Sequence, residues 1–285
     1  MTVEPENVTS PEPVAWRFRM TPRLMSQLLL TARLAGELSC APLTFYRRQE
    51  LTAKVRRDRI LWVSTAAATN VTMREVDDVL RGGPLDARRE RVAEAIRRTA
   101  IAEEALQTYT RSHHGKPLSA ELAMAYQTVE RACPTRDLRR WFSFAERERA
   151  RLLDLHLENT TVPAEVRRLF DWADAEPMVS QSRVLRAAVG FWGMANAFNR
   201  WPSVSTLLMH EFRVGEVDPH GLLSLSCATD AQRDLQASAF EGPDDTGDFT
   251  EMFERFVSAL FFVMHERVAQ LGRITDNTAY LPWQV

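Results

Sequence analysis

Helix start and stop signals recur along the whole chain and constrain its fold more than any other feature. Thr21-Pro22 combines an N-cap residue with proline at the first helical position. Thr72-Met-Arg-Glu75 is a capping box, in which hydroxyl and carboxylate satisfy each other's backbone donors. Apolar residues recur at helical spacing between such signals, and no stretch alternates with period two. The pattern predicts an all-α chain with at most one short β-hairpin, in 154–162.

The composition supports this prediction. The 285 residues include only 11 glycines and four isoleucines, while alanine, leucine, arginine and glutamate, which favour helix, are abundant. Between the breaks at proline and glycine we predict helices over 21–38, 43–67, 72–81, 85–110, 119–132, 136–157, 163–175, 180–198, 203–213, 219–228, 230–240 and 249–272.

The charges and cysteines exclude several classes of protein. Arginine is used 34 times and lysine twice, which is typical of a high-GC, bacterial composition. The 36 basic residues face 38 acidic ones, whereas a nucleic-acid-binding domain carries a basic excess. Cys40, Cys133 and Cys227 are isolated, so neither a disulfide framework nor a zinc site is predicted.

No membrane or export segment is predicted either. The longest apolar run, Phe256 to Met264, is about half of the ~20 residues that span a bilayer. The first residues are acidic and contain prolines, with no apolar stretch typical of a signal peptide. We therefore expect a cytoplasmic protein that makes no membrane contact.

The chain divides into four predicted regions. Residues 1–14 form a disordered tail, 15–115 an N-terminal helical region, 116–273 a second helical domain, and 274–285 a C-terminal tail.

Local patterns give two weak suggestions of chemistry. Residues 66–83 are similar to a repressor-type helix-turn-helix, but Glu75, Asp77 and Asp78 on the second helix would repel phosphate. His210 and His220 flank the turn at 215, where they could form a base or ligand pair, whereas His113-His114 is predicted to be a solvated pair in a loop. Phosphate-binding glycine loops and zinc-helix motifs are absent.

A family resemblance is carried by the order of four stretches. Residues 59–76 are similar to a Ser-Ser-x-Ile-Glu-Gly-Asn segment followed by Thr-x-x-Glu-Val, and 91–96 continue as the next long helix. Residues 161–172 resemble a Pro-Pro-x-x-(Ile/Val) helix, and 184–212 resemble the run around His-Pro-Phe-x-Asp-Gly-Asn-Gly-Arg. In this order the stretches resemble a Fic-domain (Fido superfamily) protein with an N-terminal inhibitory helical region. The resemblance implies a helical Fic-like bundle and, in active members, AMP transfer from Mg·ATP to a protein hydroxyl.

The motif is degenerate in this chain. The position of the general-base histidine is Asn196, and an amide cannot accept a proton near neutral pH. Proline becomes Ala197, phenylalanine is kept as Phe198, and Arg200 stands where an acidic Mg²⁺ ligand is expected. No metal site is predicted.

The phosphate loop and the inhibitory glutamate are also replaced. Trp201, Pro202 and Ser203 stand in place of Gly-Asn-Gly-Arg, and proline lacks a backbone donor for phosphate. The inhibitory segment corresponds to Ser64, Thr65, Ala68, Thr69 and Asn70, with no glutamate.

These losses together predict a non-catalytic binding or regulatory module that needs no cofactor and acts on a protein partner. One alternative is a nucleotidyl- or phosphoryl-type transferase with a non-standard site, using Arg200 for charge and His210 as base, with ATP and Mg²⁺ as cofactors. A helical DNA-binding regulator is a further alternative, although nucleic acid is not the partner we expect. Assembly into a homo-oligomer stays open.

Overall fold

The computed structural model describes residues 15–278 except 69, 84–85, 114–115, 133–145, 199–200 and 227–228. This part of the chain forms twelve α-helices and one 3₁₀ helix (Ala87–Arg89), without a β-strand. The helices are α1 Pro22–Ser39, α2 Phe45–Ala67, α3 Met73–Leu80, α4 Glu90–Ser112, α5 Ala120–Ala132, α6 Glu146–Leu157, α7 Ala164–Ala175, α8 Pro177–Gln181, α9 Arg183–Phe198, α10 Trp201–Val214, α11 Asp230–Glu241 and α12 Thr250–Thr278. The all-α prediction is confirmed, and 154–162 holds the end of α6 and a turn in place of a hairpin.

Threonine hydroxyls begin four of these helices. Thr21 accepts from the Leu24 amide at 3.0 Å, and Thr44 caps α2 in the same way. Thr72 and Thr229 each form a capping box, with Glu75 and Gln232 as partners. The helix starts that the sequence predicts at Thr21 and Thr72 are therefore confirmed.

The helix predicted over 219–228 is wrong. The buried Asp218 carboxylate accepts from the amides of Leu222 and Leu223 at 2.9 and 2.8 Å, and Gly221 has a φ of +65°. These bonds hold 221–225 in an irregular conformation that still buries its leucines. The predicted helix 180–198 is interrupted at Ser182, which separates α8 from α9, and 136–145 falls outside the described residues.

Helix α9 lies at the centre of the packing. It contacts α7, α10, α11 and α12, while α1 lies along α12 and α2 packs against α10 and α4. The segment 15–20 crosses to the loop before α12, where the Phe249 amide donates to the Arg17 carbonyl at 2.8 Å and the Arg17 amide to the Gly247 carbonyl at 3.1 Å. This crossing brings the start of the described chain beside the C-terminal end of α9.

In the described part of the chain, no helix combines the length and apolar character that a bilayer crossing requires.

Candidate functional site

An open groove lies beside the last two turns of α9. Its volume is about 710 Å³, within the range of roughly 300–1,000 Å³ typical of ligand sites. Its walls come from α9, the start of α7, the segment at Trp16 and the loop before α12: Trp16, Pro163, Glu165, Val166, Arg168, Leu169, Trp192, Gly193, Asn196, Ala197, Pro243, Asp244, Asp245 and Gly247. The groove therefore includes two positions that the sequence assigns to the degenerate motif.

Asn196 and Ala197 are both exposed on the groove side of α9. The Asn196 Nδ2 donates to the Trp192 carbonyl one turn earlier, at 3.0 Å. This bond holds the amide against its own helix. The position that the sequence resemblance assigns to the general base thus carries a carboxamide bonded to its own helix.

An aromatic cluster forms one wall of the groove. Trp16 and Trp192 line it, and behind them the rings of Trp172 and Phe249 stack at 5.0 Å. Trp16 lies 6.2 Å from Trp172, and Trp192 meets Phe249 edge-on at 5.4 Å. Packed aromatic rings present large, rigid apolar surfaces at a small cost in conformational entropy, which suits a contact surface.

Three carboxylates line the groove, those of Glu165, Asp244 and Asp245, together with the Arg168 guanidinium, and the Arg17 guanidinium bonds to Thr246 beside Asp244 at 3.1 Å. Asp244 accepts from the Thr246 amide and hydroxyl at 2.8 and 2.7 Å. The Thr246 hydroxyl and the Asp248 amide hold the pKa of Asp244 below its ordinary value. The rim is thus negative at neutral pH.

The remaining motif positions follow Asn196 and Ala197 directly along the chain. Phe198 ends α9, and Trp201 and Pro202 begin α10, but the structure describes only their backbone; Arg200 lies outside the described residues. Ser203 is buried, and its Oγ has no partner among the described residues. The loss of a phosphate loop stays a prediction from the sequence.

His210 is buried on α10, 4 % exposed, with its Nδ1 2.6 Å from the Thr110 Oγ. The direction of this hydrogen bond depends on the tautomer of the imidazole, and the Thr110 hydroxyl also lies 2.7 Å from the Leu106 carbonyl. The Lys116 carbonyl lies close enough to favour the protonated ring, against the effect of burial. Burial, with the guanidinium of Arg213, lowers the pKa of His210 to about 4.

The cavity beside His210 measures about 20 Å³, room for a single water molecule. His220 bonds instead to the Ser39 carbonyl at 3.2 Å, so the two imidazoles have separate partners. His113 stacks on Tyr109 with ring centres 4.0 Å apart, and His114 lies outside the described residues.

Buried ion pairs lie on the helices around His210, and sequence reasoning missed them. Glu211 accepts from the Leu118 amide at 2.6 Å and from Arg186 at 3.2 Å, and Arg186 also reaches Asp174 at 2.8 Å. On the neighbouring helices Arg59 pairs with Glu103. A glutamate between His210 and Phe212 in an apolar helix was the available sequence signal, because such a buried carboxylate needs a partner.

The residues assigned to the inhibitory segment occupy the end of α2 and the turn after it. Ser64 is buried, Thr65 donates to the Leu61 carbonyl at 2.8 Å, and Ala68 ends the helix. Asn70 has a φ of +56°, and Thr69 lies outside the described residues. Helix α2 packs against α10, which follows the motif.

The acidic residues of α3 are largely paired within the molecule. Arg89 donates to Glu75 at 2.7 Å, which lowers the pKa of Glu75 to about 2, and Arg57 donates to Asp77 at 3.3 Å. These contacts give α3 a structural role between α2 and α4.

Comparisons with known proteins identify the fold. The sequence matches no family model and no curated protein. The structure is similar to the crystal structure of a Fic family protein from Desulfovibrio desulfuricans G20, with a TM-score of 0.52 and 13 % identity. The similarity covers 90 % of this chain and 77 % of that one. The chain therefore has the Fic fold, as the sequence resemblance predicts.

Proposed function

We propose that this chain is a Fic-fold binding or regulatory module that does not transfer AMP, and that a protein partner occupies the groove beside α9. One observation carries the proposal. The groove opens on Asn196 and Ala197, and the sequence resemblance assigns the family's general base to Asn196, where this chain has an amide. An amide oxygen accepts a hydrogen bond but takes no proton near neutral pH.

The side chains that follow on α10 support the absence of nucleotide chemistry. Ser203 to Thr206 are all buried, and the cavity that touches Thr206 and His210 is about 20 Å³. A nucleotide needs a pocket of several hundred Å³, so this cavity is too small for one. The groove beside α9 is large enough, but most of its charged side chains are acidic and would repel phosphate.

A transferase that uses His210 as base is the weaker alternative. A neutral imidazole has one nitrogen lone pair that can accept a proton, and the lowered pKa keeps this ring neutral at pH 7. However, the ring is buried beside a cavity the size of one water molecule, so a substrate hydroxyl has no described route to it. We therefore place this alternative second.

The catalytic part of the proposal is tested with ATP labelled in the α-phosphate. Wild-type protein is incubated with Mg²⁺, labelled ATP and a mixture of candidate protein targets, beside an Asn196→Ala variant. We expect no labelled protein, self-modification included. Label that appears with the wild type and is lost in His210→Ala would establish the alternative transferase.

The binding part is tested by site-specific photocrosslinking in cells. A benzophenone amino acid replaces Ala197 in the groove or, as the matched control, Phe262, an exposed position on α12. We expect a discrete crosslinked partner from position 197 alone, and its loss when Trp16→Ala is added. Equal crosslinking from both positions would contradict a partner in the groove.

A further inference from the structure

A second pocket, of about 390 Å³, lies between α2 and α12 and is strongly basic. Its walls carry five cations, Arg47, Lys54 and Arg57 from α2 and Arg267 and Arg273 from α12, with Glu50 as the carboxylate. The chain as a whole has a net charge of −2. Positive charge is therefore concentrated here against the balance of the molecule.

The helical repeat brings these cations together. Along α2 the cations at 47, 54 and 57 are spaced by seven and three residues, so they share one face of the helix. Along α12 the cations at 267 and 273 share a face with Gln270, because these positions are spaced by three residues. The two faces meet across the pocket. Like charges held this close repel one another unless a counter-charge lies between them.

The protein supplies part of that counter-charge. Arg47 pairs with Glu50, and Arg57 with Asp77 at 3.3 Å. Lys54, Arg267 and Arg273 form no ion pair within 4.0 Å in the described part of the chain, and the carboxylates of Asp218 and Asp58 act on the Arg267 guanidinium from farther away. Arg267 has an amide partner, the Gln270 Oε1 at 3.1 Å.

Two buried donors in the pocket lack an acceptor. The Nε atoms of Arg47 and Arg267 are both out of contact with solvent and bond to no described residue. A buried polar group without a hydrogen-bond partner destabilises the fold, so such donors need an explanation. Here both belong to guanidinium groups on opposite walls of one basic cavity.

We infer that this pocket binds a compact polyanion with two or more phosphate groups. Guanidinium forks match phosphate oxygens in paired hydrogen bonds, and the three cations without an ion pair, Lys54, Arg267 and Arg273, carry more charge than one phosphate neutralises. The volume is within the small-ligand range. Such an anion accepts hydrogen bonds from the Nε atoms of Arg47 and Arg267 and joins α2 to α12. This role is separate from that of the groove beside α9.

The same phosphate chemistry is offered by a free polyphosphate and by a phosphorylated lipid headgroup. Phe45 and Tyr46 are exposed at the start of α2, close to Arg47. These exposed aromatic rings favour a lipid as the source of the phosphate groups. The experiment therefore has an arm for each source. A nucleic-acid strand needs an extended basic surface, and it is an outcome that the experiment can detect.

Binding of inorganic tripolyphosphate without Mg²⁺ is measured by calorimetry on the full chain. We expect binding by the wild type, and at least tenfold weaker binding by Lys54→Glu/Arg273→Glu, which changes two exposed side chains. The matched control is Arg33→Glu/Arg74→Glu, which makes the same charge change at exposed sites outside the pocket and should bind as the wild type does. Circular dichroism confirms that each variant is folded.

The second arm measures sedimentation with vesicles that contain a polyphosphorylated inositol lipid, against neutral vesicles. Binding in either arm that depends on Lys54 and Arg273 supports the site and identifies its source. Equal binding by the pocket and control variants, or binding of a single-stranded RNA but neither phosphate probe, would overturn the inference. ATP contains a triphosphate and could itself bind in this pocket. The experiment with labelled ATP is therefore repeated with the Lys54→Glu/Arg273→Glu variant, so that a failure of the proposed function and a failure of this inference are recognised separately.

Discussion

At the scale of single residues, burial determines the chemistry of His210. The Thr110 hydroxyl holds the imidazole through a 2.6 Å contact with its Nδ1, and burial lowers the pKa of the ring. The bond joins residues one hundred positions apart. The sequence therefore indicates a histidine near the motif, but it gives no means of predicting that three helices bury it in neutral form.

The lowered pKa of His210 makes stability depend on pH. In the unfolded chain the imidazole returns to its ordinary pKa near 6.5, so between about pH 6.5 and 4 the unfolded state binds more protons than the folded state. The free energy of unfolding should fall across that window as pH decreases, by about 2–3 kcal/mol from this group. Urea unfolding at pH 7.5 and 4.5 measures it.

The control for this prediction is His210→Gln, because carboxylates titrate in the same range. Glutamine keeps a donor for Thr110 and has no proton to gain. The wild type should lose more stability on acidification than the variant. Equal losses would show that His210 is not the group responsible.

At the scale of elements, two glycines should respond to alanine in opposite ways. Gly36 lies within α1, and an added Cβ would meet no atom within 4 Å. Gly242, at the end of α11, has φ +65° and ψ −169°, and its Cβ would lie 2.2 Å from the Trp192 Nε1. Gly36→Ala should stabilise by about 0.5–1 kcal/mol, and Gly242→Ala should destabilise by about 1–3 kcal/mol.

Thermal unfolding of the two glycine variants gives the comparison directly. Because Gly242 precedes the acidic rim and packs on Trp192, its variant should also show an altered tryptophan spectrum. A Gly242→Ala protein as stable as Gly36→Ala would contradict the strained backbone at that turn.

The segment after α10 depends on a single carboxylate. Asp218→Ala leaves the amides of Leu222 and Leu223 buried without acceptors, so the free energy of unfolding should fall by about 2–4 kcal/mol. Chemical denaturation measures the loss. Asp230→Ala, at an exposed position in the first turn of α11, serves as control and should change stability much less.

This segment also shows where sequence reasoning reaches its limit. The leucines at 222, 223 and 225 favour a helix, and Pro219 is typical of a first helical position. The outcome is decided by Asp218, which offers the backbone an alternative set of hydrogen bonds. In contrast, helices with clear caps, such as α1 and α3, are predicted correctly because their signals are local.

At the scale of the whole molecule, contacts join the N-terminal and C-terminal parts of the described residues. Helix α1 packs along α12, and Arg17 exchanges backbone bonds with Gly247 and Phe249. We therefore expect one cooperative unfolding transition, with fluorescence and circular dichroism changing together. Two separate transitions would support independently folding regions, as the predicted division near residue 115 would allow.

The fold was largely predictable from the sequence, and the site only in part. The helical class and the Fic resemblance follow from helix caps, residue spacing and the order of the four stretches. All of these signals can be read directly from the sequence. Asn196 was identified as a candidate, but the groove around it joins Trp16, Glu165 and Asp244, which are distant in sequence and carry no shared motif. The basic pocket was hidden for the same reason, since arginine is abundant throughout.

The two indoles in the groove have a practical consequence. Trp16 and Trp192 line its surface, beside the ring of Phe249. Any occupant must displace water from these chromophores, which shifts their emission to shorter wavelength. The protein thus carries its own optical sensor for the groove, able to report a ligand before that ligand has been identified.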